Sequence, residues 1–401
     1  LCQIFVRFFI FHLGSVCQCI YPLGMSAPKQ PKHQAIHDAL RTRIATGVYA
    51  PGDQLPTEWA LVEEFGASRP TVSRAVAELE RNGMVERRRG AGTFVRDQGK
   101  TTSLFGLLIP GLGETEIFEP LCGGIAGAAQ EHGDSVLWGG GGLSKPAVRA
   151  ARGPIAIQTC ESFIKHGVTG VFFAPLELDD HQDEINHRII DLLDGAGVKV
   201  VLLDRDYLPY PQRSNFDLVG IDNRRVGYVV TRHLIERGCE RVAFVARPKS
   251  ASTIQARIAG YAEAMLGAGL DYDADRVIFM DPGDHEAVRL SLLGQGIDGV
   301  VCGNDVTAAR LMHTLDEIGA IVPRDLLVAG IDDVRYASLL RVPLTTVSQP
   351  CQSIGQTAYL AMKDRTAKPD LPPRDLLLQC SLVVRESTQR ASNRSRKVRT
   401  P

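Results

Sequence analysis

From Leu104 onward, short apolar runs take turns with helical stretches, and this alternation limits the fold more than any other feature of the chain. The runs are LFGLLIP, GVFFAP, VKVVLLD, RVAFVA, VIFMD, GVVCG and LLVAGID. Between them, helical patterns occupy 119–132, 181–195, 223–237, 255–268 and 305–319. Strands apolar on both faces belong to sheets covered on both sides, and strands that alternate with helices build parallel sheets. The region 104–388 is too long for one such sheet. It predicts two doubly wound lobes with a ligand between them, at the carboxyl ends of the strands.

The residues before this region have another texture. Over 33–46 (HQAIHDALRTRIAT) Ile36, Ala39, Leu40 and Ile44 fall at helical spacing, and Gly47 is a stop signal. After the turn-rich YAPGDQLPT, Thr57 caps a second helix with Leu61, Val62 and Phe65 on its apolar side. Gly66-Ala67 turns the chain. Ser68 caps a third helix, reaching about Asn82, whose stripe is Val72, Ala75, Val76 and Leu79. MVERRRGAGTFV reads as two short strands around a basic, glycine-containing turn. Three helices and a β-wing in this order predict a winged helix-turn-helix.

The near-neutral total hides local structure. The whole chain has a formal net charge of −1, but from Lys29 to Asp97 there are eleven basic and nine acidic residues. At 100° per residue, Arg74 and Arg81 lie nearly opposite Val72 and Val76. Arg69 stands in the first turn, beside free backbone N–H groups. A recognition helix meets the major groove with its N-terminal residues, and an arginine fork matches the two acceptors of guanine. Arg69 is therefore expected at a base edge or a nearby phosphate, and Arg74 in the same groove. Ser68, Thr71 and Ser73 are short enough to contact phosphate. In the wing, Arg87, Arg88 and Arg89 supply neutralising charge, while Gly90 and Gly92 permit close approach to a duplex.

The stretch GVYAPGDQLPTEWALVEEFGASRPTVSRAVAELERNGMVERRRGAGTFV resembles the GntR-family DNA-binding domain. The match covers 33–96. The resemblance implies operator binding as a dimer, with contacts from Glu58, Ser68, Arg69, Thr71 and the wing near Gly92. Some relatives carry a base-reading arginine at the position of Ser73; here Arg74 is one step further on.

Polar residues at the ends of the apolar runs mark the expected cleft: Asp204-Arg205, Asn304-Asp305 and Asp332-Asp333, with Arg257 at the head of a helix. Carboxylates, an amide and a guanidinium in one cleft suit paired hydroxyls of a polyhydroxylated ligand. Phe118, in the first strand-to-helix loop, is placed to stack on a sugar's C–H face. Asp305 and Asp333 are expected to cap helices. The segments VVLLDR, VGIDNRRVGYVVTRHLIERGCERVAFV, STIQARIAGY, CGNDVTAA, VAGIDD and PLTTVSQP resemble the effector domain of LacI/GalR regulators, itself similar to periplasmic sugar-binding proteins. That resemblance implies effector contacts from Asp204, Arg257, Asn304 and Asp332, with Gln349 near the crossover between lobes. A GntR-type head on this body resembles the arabinose-repressor subgroup. Residues 144–157 fit the family poorly.

The expected organisation is a multidomain chain: a winged helix-turn-helix at 25–96, a linker at 97–103, and at 104–388 a two-lobed α/β domain of doubly wound parallel sheets, periplasmic-binding-protein-like type I. A basic tail follows at 389–401. Residues 1–24 (LCQIFVRFFIFHLGSVCQCIYPLG) are apolar enough to suggest a signal or anchor, but Arg7 and His12 interrupt them. Met25-Ser-Ala-Pro-Lys reads as an ordinary start, and the preceding residues as non-native leader. Nine scattered cysteines without metal-ligand spacing point to free thiols in a reducing compartment. GGGG at 139–142 lacks the spacing of a phosphate loop, and the histidines form no metal or triad pattern. No cofactor, metal, catalytic residue or membrane partner is expected. The expectation is a cytoplasmic, dimeric repressor on a palindromic operator, released by a monosaccharide that draws the lobes together. The rivals are an enzyme and an exported or anchored sugar-binding protein.

Overall fold

The computed structural model describes residues 32–96, 102–110, 112, 116–139 and 152–390. The leader, most of the linker, residues 140–151 and the tail from 391 lie outside the described residues, and with them the readings made there. The chain divides into two compact units, Leu1–Thr101 and Thr102–Pro401.

In the first unit, α1 (Lys32–Ala45), α2 (Glu58–Phe65) and α3 (Arg69–Arg81) precede the antiparallel strands β1 (Val85–Arg88) and β2 (Gly92–Val95). Thr57 Oγ1 accepts from Ala60 N at 3.2 Å and starts α2; Gly66, at φ +53°, ends it. Ser68 precedes α3, but its hydroxyl lies 2.7 Å from that of Thr71 and makes no cap bond to the backbone. Pro70 opens the helix instead, with a φ already suited to the first turn. One core holds the unit: Ile36 and Leu40 from α1, Leu61 from α2, the expected stripe of α3, and Val85 and Val95 from the wing.

The second unit contains two six-stranded sheets. The first has the order β13-β7-β6-β5-β3-β4: Asp375–Leu378, Asp217–Ile221, Lys199–Leu203, Gly170–Phe173, Leu104–Leu108 and Ser135–Gly139. The second has the order β14-β12-β11-β10-β8-β9: Ser381–Val383, Thr345–Ser348, Leu327–Asp332, Gly299–Cys302, Val242–Ala246 and Val277–Phe279. Neighbours are parallel except β14, which runs antiparallel to β12. Only Gln379 and Cys380 separate β13 from β14, so no helix turns the chain before it joins the second sheet. The chain also passes between sheets after β7 and after β12.

Helices α4 (Phe118–His132), α5 (Arg152–Lys165), α6 (Gln182–Gly195) and α11 (Cys351–Ala367) pack with the first sheet. Helices α7 (Asn223–Glu236), α8 (Ser252–Gly267), α9 (His285–Val288) and α10 (Asp305–Glu317) accompany the second. A buried cluster running through both lobes includes Phe105, Phe172 and Val201 on one side and Phe244, Val301 and Ile331 on the other. Each sheet's opposite face has its own cluster, around Phe173 and Ile189 in one and Val300 and Leu311 in the other.

Each lobe also has one helix crossing too close for side chains. A Cβ on Gly227 of α7 would fall on the Arg257 carbonyl oxygen, and one on Gly260 of α8 would fall on that of Arg224. Gly124 of α4 and Gly355 of α11 stand in the same relation to Gln352 and Leu121. The first crossing fixes the backbone that carries Arg257.

Among the described residues, no helix is long and apolar enough to cross a membrane.

Candidate functional site

The buried stripe of α3 turns Arg69, Arg74 and Arg81 outward, and all are exposed. Arg69 Nε lies 3.5 Å from Glu58 Oε2, and its guanidinium carbon is 5.5 Å from the centre of the Trp59 ring. Glu58 Oε1 also accepts from Arg87 Nη2 at 3.1 Å, so one carboxylate ties the recognition helix to the wing. Arg88 is held differently: Nε donates to Glu86 Oε1 at 2.6 Å and the guanidinium covers Phe94 at 4.7 Å. Its proximity holds the Glu86 carboxyl below the usual range. Arg74, Arg81 and Arg89 have no carboxylate partner among the described residues.

A groove of about 580 Å³ is lined by Glu58, Arg69, Arg87, Arg88, Arg89 and Gly92, among others. Ser68, just before α3, and Thr71, Ser73 and Arg74 on it do not line the groove. Gly92 has φ +120°, and a Cβ there would meet the side chain of Gln54, whose Nε2 donates to Ala91 O at 2.9 Å. The backbone of the wing thus favours glycine here, whatever approaches it. Trp59 and Gln54 escaped the sequence reading. An unassigned tryptophan in the first turn of α2 was the available signal.

The second unit gathers its polar strand ends as expected. Asp204, Arg205, Arg257, Asn304 and Asp332 line one cavity, together with Glu177. Arg205 is 7% exposed. Its Nη1 donates to Asp204 Oδ2 at 2.9 Å and lies 3.2 Å from Glu177 Oε1, and its Nε donates to Pro175 O at 2.9 Å. Arg257 donates to Asn223 Oδ1 at 2.8 Å and to Gly303 O at 2.6 Å, and its Nη2 is 3.8 Å from Asp332 Oδ1. Gln349 Nε2 donates to the same Asp332 oxygen at 2.7 Å. Gln349 lines an adjoining cavity of about 570 Å³, shared with Glu116, Arg335 and Asp332.

Three expectations are amended. Phe118 is the first residue of α4, not a loop residue; it is buried, with the Arg205 guanidinium 5.8 Å from its ring centre. That ring supports Arg205 and has no free face. Asp305 caps nothing: Asn304 Oδ1 takes the Thr307 N–H at 2.9 Å, while Asp305 accepts from Thr346 Oγ1 at 2.7 Å and Val334 N at 3.1 Å. Asp333 is not a cap either: Val334 holds that position before the short 3-10 helix Arg335–Ser338, and Asp333 pairs with Arg385 Nη2 at 2.6 Å. In each case a partner distant in sequence outcompetes the local backbone.

Burial disfavours the charged carboxylates. It raises Asp204 despite Arg205 and Arg257, and it pushes Asp332 up to about 8, with Asp305 and Asp204 adding to the effect and Arg257 opposing it. Backbone conformation marks the same place. Among the described residues, the non-glycine positions with positive φ are Leu178, Asp204, Lys249, Asp332 and Asp333, all at the cleft or its rim. Such positions cost about 1 kcal/mol or more each and collect where a site over-determines the chain. At the rims, Leu178 N donates to Lys249 O at 2.9 Å, Ala251 N to Glu177 Oε2 at 2.9 Å and Arg335 N to Glu116 Oε2 at 3.0 Å. Lys249 also pairs with Asp180. These bonds join one lobe to the other. The cavity between them measures about 30 Å³.

The gntR family of bacterial regulatory proteins matches residues 32–95, and the periplasmic binding protein-like domain matches 231–388. The HTH-type transcriptional regulator CelR of Thermobifida fusca is 30% identical over 332 residues, 80% of this chain and 89% of that protein. This chain belongs to the LacI/GalR-like transcriptional regulators and carries a GntR-type head. The arabinose metabolism transcriptional repressor of Halalkalibacterium halodurans is 25% identical over 390 residues, covering 91% of this chain and 98% of the relative. Among solved structures, a CelR–cellobiose complex superimposes with a TM-score of 0.59 at 26% identity, covering 80% of this chain and 90% of that one. The regulator's two parts, a winged helix-turn-helix and a two-lobed α/β domain, are those the sequence predicts. Its relatives are transcription regulators, not enzymes.

Proposed function

We propose that this regulator is a cytoplasmic repressor that holds a palindromic operator as a homodimer and lets go when a monosaccharide occupies the cleft. The observation that carries this reading is the convergence of strand-end groups on one cleft in a chain that also has a DNA-binding head. The cleft's guanidinium and carboxylate groups are near balance and already pair with one another. Such a site offers donors and acceptors to an uncharged polyol without attracting phosphate. The relatives' names point the same way, to arabinose and cellobiose. In this reading Asp204, Arg257, Asn304, Asp332 and Gln349 hold ligand hydroxyls. Arg205, over the Phe118 ring, keeps Asp204 in place.

A cavity of about 30 Å³ takes little more than one water, against roughly 300–1,000 Å³ for small-molecule sites. A sugar therefore enters with the rim bonds between lobes parted, and the lobes then draw together on it, less closely than here. The effector then acts through its different affinity for the two arrangements, the only means by which a ligand shifts such an equilibrium. In the head, Arg69 reads a base and Arg74 lies in the same groove. Ser68, Thr71 and Ser73 meet phosphate, and Arg88, Arg89 and Gly92 bring the wing to the duplex. Catalytic turnover has no part in this reading, and a binder working outside the cell would have no use for the head.

The test is fluorescence anisotropy of a duplex selected by the protein from random sequence, titrated with a panel of mono- and disaccharides. Release by one sugar is expected. If none of them changes the affinity while DNA binding is intact, sugar induction is wrong.

A further inference from the structure

Trp59 occupies the first turn of α2 and is 66% exposed. The other large apolar residues of that helix serve the core: Leu61 is buried, and Val62 and Phe65 pack against the same cluster. A lone exposed aromatic is ordinary and implies nothing by itself. What singles out Trp59 is its neighbour. The Arg69 guanidinium lies over its ring at 5.5 Å, within cation–π range, while Glu58 meets the Nε edge at 3.5 Å.

This arrangement holds one face and one edge of Arg69 and leaves the other edge available. Neither Nη of Arg69 has a hydrogen bond among the described residues. Those two nitrogens form the outer part of the fork that pairs with guanine. Arg88 makes the contrast. It too has an aromatic beneath it, Phe94 at 4.7 Å, but Glu86 lies 2.6 Å from both its Nε and its Nη2. Its fork is therefore occupied by its own chain. An exposed arginine loses rotamer freedom when it docks, and a side chain already confined loses less. Confinement that leaves the reading edge free therefore favours a specific contact over a loose electrostatic one.

We propose that Trp59 is a positioning residue for operator specificity: its indole presets Arg69 for a base edge, from a helix outside the recognition helix. The proposal rests on Arg69 as a base reader, so the experiment must separate two failures. The full chain is used with two probes, a duplex that the wild-type protein selects from random sequence and the same duplex with its half-sites scrambled. Affinities are measured by anisotropy at several salt concentrations, for wild type, Trp59→Leu, Trp59→Phe and Arg69→Ala, with thermal unfolding of each.

Trp59→Leu keeps apolar bulk but removes the ring. It is expected to lower the ratio of selected to scrambled affinity about three- to tenfold, the size of an exposed cation–π contact in one or two subunits. Affinity for the scrambled duplex and the salt slope stay as in wild type, because no phosphate contact is lost. Trp59→Phe restores part of the ratio, and it decides the matter if the leucine variant unfolds early. An unchanged ratio in both variants overturns the proposal. So does an equal loss on both duplexes, which makes Trp59 a backbone contact or a support of the fold. Arg69→Ala is the control: if it keeps the sequence preference, the base-reading assignment itself fails, and Trp59 has nothing to position.

Discussion

Arg69 and Arg257 are the same side chain in opposite settings. Arg69 is 61% exposed, with one carboxylate at 3.5 Å and an aromatic face. Arg257 is 5% exposed and donates to Asn223 and Gly303, with Asp332 at 3.8 Å. A group that reads DNA keeps donors free until the duplex arrives. A group that lines a shut cleft is already committed to the fold, and a ligand must take over from partners it already has. The first should therefore show its importance in binding and little in stability, the second in both.

The largest expected effect follows from that difference. Arg257→Ala leaves Asn223 Oδ1 and the Gly303 carbonyl buried without their donor and should destabilise the second unit by about 1–3 kcal/mol for each acceptor, read as a fall in its denaturation midpoint. A midpoint within error of wild type would mean that Arg257 is not part of the packed structure. Next comes Arg69→Ala, expected to leave the head's melting temperature nearly unchanged while removing about 1–3 kcal/mol of base discrimination per half-site. Equal losses on selected and scrambled duplexes would reduce it to a phosphate contact.

A smaller effect concerns pH. Burial raises Asp332 to about 8, above its unfolded value near 4. The stability this group contributes is complete below about pH 4 and disappears as pH rises through about 8. His233, buried and lowered by desolvation, works in the other direction and loses stability only as pH falls below its ordinary value. Between pH 7 and 8.5 the second unit should therefore lose about 1 kcal/mol, and Asp332→Asn should abolish that decline. A decline equally steep in the variant would place its origin elsewhere. The smallest effect is Thr57→Ala, which removes the cap of α2 and should cost the head about 0.5–1 kcal/mol, seen in its melting curve. No change there would show that the 3.2 Å cap bond adds nothing in solution.

The two regions also differ in what the amino-acid sequence discloses. The head is written locally. Val72, Ala75, Val76 and Leu79 fix one face of α3, so the opposite face follows by geometry alone. Most of the cleft's polar groups stand where apolar runs end, so Asp204, Asn304 and Asp332 could be found in the same way. Long-range fits could not. Nothing near Gly227 announces that the Arg257 backbone will press against it, and nothing near Leu178 foretells its bond to Lys249. Strands β4, β7, β12, β13 and β14 are not among the apolar runs; β13 and β14 are edge strands, the first with exposed alternate residues and the second only three residues long. Helices α5 and α11 were likewise not read. Asp305 shows the limit well: it sits where a cap residue belongs, and only the folded chain brings Thr346 and Val334 to it.

The account depends most on coupling between cleft and head. The direct measurement is operator affinity of the wild-type chain with and without a saturating sugar that calorimetry shows to bind it. A fall of about 5- to 150-fold is predicted, the usual range for coupled sites. A sugar that binds the cleft and leaves operator affinity where it was would contradict the account.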